Sequence, residues 1–313
     1  EREMDKTDIP GTFNAGATLG PVNETNMARI WNKHKQSNTP LKRKVFVGLS
    51  GGVDSSVSAL LLKRAGYDVT GVFIEVWQPD FISCSGRDDK LSAMRVAAEL
   101  DIPFLTLDAK DEYKKEVVDY MIEEYQAGQT PNPDVMCNRH VKFGIFKRFA
   151  IENGADYVAT GHYAQIKKNA QGVFGLYAGA DKGKDQSYFL WTLTEDDLAR
   201  TLFPVGHLEK NEVRKIAKEA GLSTFDKKDS QGLCFMGQVD VKEFLAHYIQ
   251  KKKGEVVNEE GEVIGYHEGA VFYTIGERHG FMITEKTPND APYYVISKDL
   301  EKNILRVGHR EKK

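Results

Sequence analysis

Short apolar runs alternate with longer amphipathic stretches over residues 41 to about 192 of this chain. The short runs predict strands at Val45–Leu49, Asp68–Ile74, Pro103–Leu107 and Tyr157–Thr160. The longer stretches predict helices at Asp54–Arg64, Asp88–Leu100, Asp111–Gln126 and Asn138–Asn153. This alternation predicts an α/β fold with a mostly parallel sheet, in which ligands bind at the carboxyl ends of the strands.

The pattern changes after residue 193. Amphipathic segments predict small helices at Glu195–Thr201, Asn211–Ala220 and Val239–Ile249. From Gly254, apolar positions flank a turn at Asn258–Gly261, which predicts a hairpin, and Tyr293–Ser297 and Ile304–Val307 predict further strands. Residues 1–40 lack sustained periodicity and are interpreted as an extension that is flexible or lies over the next domain. The predicted organisation is an N-terminal extension at 1–40, an α/β domain at 41–193, a helical central domain at 194–253 and a β domain at 254–313.

The composition is that of an ordinary globular protein, with 313 residues, of which 41% are hydrophobic and 28% charged. No apolar run is long enough to span a bilayer and no signal-peptide pattern is present, so we interpret the chain as cytoplasmic, with no membrane partner. The net charge of -3 argues against a generic nucleic-acid binder but leaves room for local basic patches. Cys84, Cys137 and Cys234 form neither a disulfide framework nor a Cys-x-x-Cys pair, and no metal site is predicted.

A Ser/Gly-rich loop stands between the first predicted strand and the first predicted helix, with the sequence Gly48-Leu49-Ser50-Gly51-Gly52-Val53-Asp54-Ser55-Ser56. Its glycines let the backbone approach an anion, and the N–H groups at the helix start point at it. The lysine of the Gly-x-x-x-x-Gly-Lys-Ser/Thr loop is absent. The run resembles the SGGxDS loop of ATP pyrophosphatases, which split ATP into AMP and pyrophosphate. The structural alternative is a glycine turn with a helix cap.

Two of the cysteines lie in segments suited to a reactive thiol. Asn132-Pro133-Asp134-Val135-Met136-Cys137 places Cys137 near a helix start, where the dipole lowers a thiol pKa, and places Asp134 nearby as an acid/base candidate. Lys227-Lys228-Asp229-Ser230-Gln231-Gly232-Leu233-Cys234 places Cys234 after two lysines, which favour its thiolate. Taken alone, each cysteine also fits a buried structural position.

The segment Asp181–Leu190 is charged in its first half and apolar in its second. Lys182 and Lys184 suit a polyanion, and Gln186 can add a hydrogen bond. The alternative is a charged turn before a buried element.

Taken together and in this order, the motifs resemble those of the tRNA-specific 2-thiouridylases, a family of the ATP pyrophosphatase (PP-loop) superfamily. The order also includes Thr160-Gly161-His162-Tyr163 and Tyr273-Thr274-Ile275-Gly276, and the resemblance covers roughly residues 44–310. It implies an ATP pyrophosphatase domain, a small helical domain that binds tRNA, and a β-barrel-like domain that is truncated relative to the family pattern.

The resemblance also implies roles for particular residues. Those that match the ATP-binding positions are Gly48, Leu49, Ser50, Gly51, Gly52, Val53, Asp54, Ser55, Ile74 and Gly161. Those that match positions meeting the target base or the rest of the tRNA are Asn132, Pro133, Asp134, His162, Lys184, Asp185 and Gln186.

The implied reaction is ATP-dependent thiolation of a wobble uridine. ATP adenylates O2 of the uracil ring, and a persulfide on Cys234, delivered by a relay that ends in a cysteine desulfurase, attacks C2. Cys137 breaks the sulfur–sulfur bond, which leaves a Cys137–Cys234 disulfide, and Asp134 is the general acid/base. Mg²⁺ is expected because the phosphate charge must be neutralised.

Other interpretations remain open from the residues alone. Another ATP-dependent adenylating enzyme would need the Ser/Gly loop but neither Cys137 nor Cys234. A tRNA-binding protein that has lost catalysis, or a module that only binds nucleotide, would leave these groups without a use. Cys84 is interpreted as a loop thiol without a role, the alternative being a third iron–sulfur ligand.

Overall fold

The computed structural model describes residues 42–81, 86–229, 240–284 and 291–309. The strands are β1 (Lys44–Gly48), β2 (Asp68–Glu75), β3 (Phe104–Asp108), β4 (Tyr157–Ala159), β5 (Ala164–Lys168), β6 (Phe174–Ala178), β7 (Thr201–Leu202), β8 (Gly254–Val257), β9 (Val263–His267), β10 (Met282–Ile283), β11 (Tyr293–Asp299) and β12 (Ile304–His309). The α-helices are α1 (Val53–Arg64), α2 (Gly86–Glu99), α3 (Lys110–Tyr113), α4 (Tyr120–Gln126), α5 (Pro133–Met136), α6 (Phe146–Glu152), α7 (Glu195–Ala199), α8 (Lys210–Glu219) and α9 (Val241–Leu245). Two π-helical stretches, Lys114–Asp119 and Cys137–Ile145, and two 3-10 helices, Ser187–Leu190 and Ala270–Phe272, complete the elements.

The chain divides into two compact units. The first runs to Tyr113 and resumes at Asp134 for the described residues up to Asp229. The second contains Lys114–Pro133 and the described residues from Asp240 onward.

The first unit is built on a five-stranded parallel sheet with the order β3-β2-β1-β4-β7. Successive side chains of a strand face opposite sides, so the apolar run of β1 supplies both faces of the sheet. Val45 and Val47 are buried in one core together with residues of α1, α2 and α8. Phe46 lies in the other core with Phe146 and Leu190. This burial on both faces explains why β1 reads as a continuous apolar run.

The second unit contains a five-stranded sheet with the order β10-β9-β8-β12-β11. The predicted hairpin is the antiparallel pair β8–β9, and β12 pairs with β8 in parallel and with β11 in antiparallel fashion. Phe244 and Leu245 of α9 and Leu305 of β12 are fully buried. The predicted α/β fold followed by a C-terminal β region is confirmed.

The predicted glycine stops and one predicted helix cap agree with the structure. Glycines at positive φ follow the helices where stops were expected, at Gly66, Gly128, Gly154 and Gly221. Thr194 and Asp197 form a capping box at the start of α7. Among the described residues no helix combines the length and the apolarity needed to cross a membrane.

The division into units differs from the predicted central domain at 194–253. Residues 194–229 belong to the first unit, because β7 is the fifth strand of its sheet and α8 packs against α1, whereas 240–253 belong to the second. The helix predicted at Glu195–Thr201 ends at Ala199, since Thr201 begins β7. A strand of two residues is too short to show a periodicity, which is why the pattern missed it.

Gly206 lies at a tightly packed position in the first unit. A Cβ atom added there would lie 1.7 Å from the carbonyl oxygen of Ala164, so the backbone would have to move. We expect Gly206→Ala to lower the free energy of unfolding by roughly 3 kcal/mol, measured by urea denaturation. Gly221→Ala is the matched control, because Gly221 has a φ of +70° but nothing within 4 Å of the added Cβ. Its backbone strain alone should cost about 1 kcal/mol, and equal losses in the two variants would contradict the packing argument.

Candidate functional site

The Ser/Gly loop lies at the carboxyl end of the central strand β1 and leads directly into α1. Gly52 is the N-cap of α1, in an extended conformation, and gives the helix no side-chain cap. A helix start without such a cap leaves backbone N–H groups to be satisfied by water or by a ligand, and its dipole favours an anion. The loop therefore has the form expected of a phosphate-binding loop.

The serine hydroxyls of the loop are engaged within the loop itself. Ser55 Oγ accepts from the Ser50 N–H at 3.2 Å and donates to the Gly52 carbonyl at 3.0 Å. Ser56 Oγ donates to the same carbonyl at 2.8 Å, and Ser56 is fully buried. Ser50 is exposed, so its hydroxyl is the one most open to a ligand.

Gly161, which follows β4, lies directly against the start of α1. A Cβ atom at this position would lie 2.7 Å from the backbone nitrogen of Ser55 and 2.8 Å from the carbonyl carbon of Asp54. Only glycine permits this close approach of the two backbones. Ile74 lies on the neighbouring strand β2, where its Cδ1 would be 3.9 Å from a Cβ at Gly48. The structure thus brings the predicted nucleotide residues of β1, β2 and β4 to one edge of the sheet.

Asp54 in the first turn of α1 is held by a tyrosine and a lysine. Tyr163 Oη donates to Asp54 Oδ1 at 2.7 Å, and Lys210 Nζ donates to both carboxylate oxygens at 2.7 and 2.8 Å. Burial and the negative charge of Asp54 raise the pKa of Tyr163 well above its usual range, so the phenol stays protonated as the donor. Lys210 is only 8% exposed, so this ion pair is largely removed from water.

The same lysine connects Asp54 to Asp229. Asp229 Oδ1 lies 2.8 Å from both Lys210 Nζ and Arg214 Nη2, and its Oδ2 accepts from Lys184 Nζ at 2.8 Å. Burial opposes ionisation of Asp229, but hydrogen bonds from Lys184 and Lys210 outweigh it and lower the pKa of the carboxyl to about 2. We call the set Asp54, Lys184, Lys210, Arg214 and Asp229 the ion-pair hub.

Lys227 forms a second link to the Ser/Gly loop. Its Nζ donates to the Gly51 carbonyl at 3.1 Å and to Asp89 Oδ1 at 2.7 Å. Lys227, Lys228 and Asp229 are the last described residues before Cys234, which lies outside the described residues, as does Cys84. Residues 227–229 form what we call the stem of the Cys234 segment. Lys227 connects this stem to Gly51 of the loop, and Asp229 connects it through Lys210 to Asp54.

Asp134 and Cys137 lie one turn apart, where α5 passes into the π-helical stretch. The side chain of Cys137 is buried. Burial raises the pKa of Asp134, and the charge of Lys142 partly opposes that rise. A carboxyl with a raised pKa is better suited to exchange a proton near neutral pH than an ordinary aspartate is.

His162 is buried rather than presented at the surface. Its Nδ1 lies 2.7 Å from Thr160 Oγ1, and Lys142 Nζ lies 3.5 Å from its Nε2. Burial and the charge of Lys142 hold the pKa of His162 well below its usual range, so the ring is neutral. An ammonium group can only donate, so Nε2 accepts and the proton lies on Nδ1. This environment favours a role for His162 in positioning Lys142. The direct contact of His162 with tRNA stays a prediction.

The predicted tRNA residues Lys184, Asp185 and Gln186 support their own segment. Lys184 pairs with Asp229, and Asp185 accepts the N–H groups of Gly179 and Ser187 at 2.8 and 3.1 Å. Gln186 Oε1 accepts from the Tyr163 N–H at 3.0 Å. Asn132 and Pro133 are half-buried at the start of α5, and belong to the second unit. Contacts of all these residues with tRNA stay predictions.

Sequence reasoning missed Lys210 and Tyr163 as residues of the site. Lys210 begins an amphipathic helix and looks like any exposed lysine there. Its partner Asp54 is 156 residues earlier in the chain, so no local pattern reports the pair.

Two family models match successive parts of the chain. The model described as the tRNA methyl transferase HUP domain matches residues 43–238, and the one described as the tRNA methyl transferase PRC-barrel domain matches residues 242–309. The tRNA-specific 2-thiouridylase MnmA of Streptococcus thermophilus strain CNRZ 1066 is 49% identical over 270 residues, which cover 85% of this chain and 72% of that protein. The chain belongs to the tRNA-specific 2-thiouridylase family.

Other tRNA-specific 2-thiouridylases have a similar sequence identity to this chain. The enzyme of Streptococcus equi subsp. zooepidemicus strain MGCS10565 is 49% identical and that of Streptococcus uberis 48% identical, each with the same coverage. Among solved structures, the U34-tRNA thiolase NcsA from Methanococcus maripaludis with its 4Fe-4S cluster has a TM-score of 0.43 and 20% identity, over 72% of this chain and 73% of that one. A likeness at this level carries no argument about function.

The lowered pKa of Asp229 in this 2-thiouridylase gives a testable pH dependence. The folded-state pKa of about 2 lies below the ordinary value of 3.8, so ionised Asp229 stabilises the fold above about pH 4 and loses this contribution as the pH falls towards 2. We expect Asp229→Asn to lower the free energy of unfolding at pH 7, and its difference from the wild type to shrink between about pH 4 and pH 2.

Denaturant titrations at a series of pH values measure this difference. Asp68→Asn, at an exposed position at the start of β2, is the matched control and should show little difference at any pH. A loss in Asp229→Asn that stayed constant down to pH 2 would contradict the assigned pairing.

Proposed function

We propose that this chain is a tRNA uridine 2-sulfurtransferase, which converts a wobble uridine to 2-thiouridine and ATP to AMP and pyrophosphate. The observation that carries the proposal is the 49% identity to tRNA-specific 2-thiouridylases over 85% of the chain. The placement of the Ser/Gly loop, Gly161 and Asp54 at one sheet edge supports it, because ligands of open α/β sheets, nucleotides among them, bind at the carboxyl ends of the strands.

ATP is proposed to bind along the Ser/Gly loop, with its phosphates at the start of α1 and its adenine near Ile74 and the main chain of Gly161. Lys210 and Lys227 flank this loop and supply positive charge next to it. Adenylation makes O2 of the uracil ring a leaving group, since AMP departs far more readily than an oxide.

Magnesium is proposed to accompany ATP. The described residues contain no cluster of three or more His, Cys, Asp or Glu side chains that would form a protein cage. Mg²⁺ does not need such a cage, because it binds nucleotide phosphates with only one or two carboxylates. Asp54 is the carboxylate at the loop, and it would have to exchange part of its contact with Lys210 for the ion. When bound, Mg²⁺ neutralises phosphate charge; the chain itself orients the phosphates through the loop and its lysines.

Sulfur transfer is proposed to use the two cysteines in sequence. The terminal sulfur of a Cys234 persulfide attacks C2 of the adenylated uracil and AMP leaves with O2. The Cys137 thiolate then attacks the Cys234 sulfur, so the sulfur–sulfur bond breaks, 2-thiouridine is released and a Cys137–Cys234 disulfide remains. Reduction of this disulfide takes two electrons from two external thiol groups, which are themselves oxidised to a disulfide. Asp134, beside Cys137, is the proposed general acid/base.

The tRNA is proposed to present its unpaired anticodon loop, whose target base can be turned into a pocket at modest cost. Asn132, Pro133 and Asp134 are the proposed contacts of that base. His162 and Lys184–Gln186 are proposed either to contact the rest of the tRNA or to position the residues that do. The proposed sulfur donor is a relay that ends in a cysteine desulfurase, and the proposed compartment is the cytoplasm.

A thiolation assay tests the function and the roles of the cysteines. Unmodified tRNA with a wobble uridine is incubated with ATP, Mg²⁺, cysteine and a cysteine desulfurase, and nucleosides are identified by mass spectrometry. We expect 2-thiouridine from the wild type and at least a hundredfold less, on the order of the effect of losing a catalytic group, from Cys137→Ala, Cys234→Ala and Asp134→Ala.

Cys84→Ala is the matched control and should retain activity. Loss of activity in this variant would favour a metal-cluster ligand at Cys84. Thiouridine formation that survives both Cys137→Ala and Cys234→Ala would contradict the persulfide mechanism, while ATP cleavage on a different substrate without any thiouridine would indicate another adenylating enzyme.

The pH profile tests the acid/base role of Asp134. Lys142 lowers the pKa of Asp134, so its removal should raise that pKa. If Asp134 acts in its ionised form, Lys142→Met should move the acidic limb of kcat/KM for tRNA to higher pH, and Lys142→Arg should restore it. Lys115→Met, at a side chain that is 79% exposed, is the control and should leave the limb in place. An acidic limb that persists unchanged in Asp134→Asn would assign it to another group.

A further inference from the structure

Two aromatic side chains, Tyr188 and Trp191, stand out of the surface of the first unit. Tyr188 is 68% exposed and Trp191 is 67% exposed, the highest values for large hydrophobic side chains among the described residues. Leaving such rings in water is unfavourable, and neither ring is buried in either core of the first unit. A pair of neighbouring exposed rings is more informative than the single exposed residues common on protein surfaces.

The backbone places the two residues on one face of a short helix. Ser187–Leu190 is a 3-10 helix, and Trp191 continues it with φ of -62° and ψ of -18°. Residues three apart in a 3-10 helix lie directly above one another, and the rise of about 2 Å per residue separates them by roughly 6 Å. Two stacking intervals of about 3.4 Å sum to nearly the same distance, so this backbone spacing would admit one flat base between rings that project side by side from this face.

The helix that displays the rings is firmly anchored by its other residues. Leu190 is fully buried in the core that includes Phe46. The Phe189 carbonyl accepts from Asn138 Nδ2 at 3.0 Å, and the N–H of Gln186 donates to the Tyr163 carbonyl at 2.9 Å. The anchoring contacts thus come from residues other than Tyr188 and Trp191, although the Tyr188 ring also meets the Phe189 ring edge-on at a centroid distance of 5.4 Å.

The position of the helix connects it to the candidate site. Asn138, which holds the Phe189 carbonyl, is the residue after Cys137 and is itself buried. Exposed cationic residues lie near in the chain on both connected segments, Arg139 on one and Lys182 and Lys184 on the other. An exposed aromatic pair among cations is the usual surface for unpaired nucleotides, whose bases stack on rings while phosphates meet the charges.

We propose that Tyr188 and Trp191 form a clamp for a base of the anticodon loop that neighbours the target uridine. This inference rests on the proposed function, since it assumes that tRNA is the substrate. By holding an adjacent base, the clamp keeps the loop open and fixes the register in which the target uridine reaches Cys137. Its contribution is to tRNA affinity and to the choice among anticodon loops, not to the adenylation chemistry.

Steady-state thiolation of an anticodon stem-loop tests the clamp. Tyr188→Ala and Trp191→Ala are each expected to raise KM for the stem-loop about tenfold, the effect of losing one stacked ring, and to leave KM for ATP unchanged. Tyr188→Phe and Trp191→Phe keep a flat ring and should remain within about twofold of the wild type. Tyr177→Ala on β6 is the matched control, because Tyr177 is also an exposed tyrosine of the first unit (45%).

Stem-loops with an abasic site on either side of the target uridine locate the clamped base. If the clamp exists, one abasic stem-loop should bind the wild type about tenfold more weakly and should be insensitive to Trp191→Ala, since the stacking partner is already absent. If Trp191→Ala weakened the binding of both abasic stem-loops as much as it weakens the binding of the intact stem-loop, the proposal would be overturned.

The other outcomes are also distinguishable. Thiolation by the wild type together with variants that behave like Tyr177→Ala would overturn the clamp and leave the proposed function intact. A higher requirement for the sulfur donor with an unchanged KM for the stem-loop would assign the rings to a protein partner and overturn the proposal. No thiolation by the wild type, with ATP cleavage on another substrate, would remove the proposed function and the clamp with it.

Discussion

The edge of the sheet at which we propose that ATP binds depends on one buried ammonium group, that of Lys210. It lies within 2.8 Å of carboxylate oxygens on both Asp54 and Asp229, and it is almost completely shielded from water. A charge in such a position is stable only while its partners remain, because removing one leaves an uncompensated ion in a poorly solvated place. The start of α1, the start of α8 and the stem of the Cys234 segment are therefore held in one geometry by a single group.

This constraint has a chemical meaning for an enzyme that binds ATP. Asp54 and Asp229 neutralise two of the three positive charges of Lys184, Lys210 and Arg214 next to a loop built for anions. Arriving phosphates compete with the two carboxylates for the same cations. The proposed adenylation step and the stem of the segment that carries Cys234 therefore share one electrostatic network, although they are far apart in the chain.

A second, smaller network lies beside Cys137. Lys142 faces both Asp134 and the neutral ring of His162, and it acts on their proton affinities in the same direction by disfavouring protonation. Burial raises the proton affinity of Asp134 and lowers that of His162, because it disfavours the charged form of each. The carboxyl is thus the group of this pair whose titration moves towards neutral pH, which suits the proposed proton transfer.

The sequence by itself determined the parallel α/β region, the hairpin of the β domain, the Ser/Gly loop and the family, because each depends on residues close together in the chain. The strand at Val45-Phe46-Val47 and the loop after it can be predicted from neighbouring residues alone. The tertiary structure alone decided that Thr201–Leu202 joins the sheet, that residues 194–229 and 240–253 fall in different units, that His162 is buried, and that Lys210 connects Asp54 to Asp229. These features arise from contacts between distant segments, and periodicity and local motifs carry no information about which distant side chain supplies a partner.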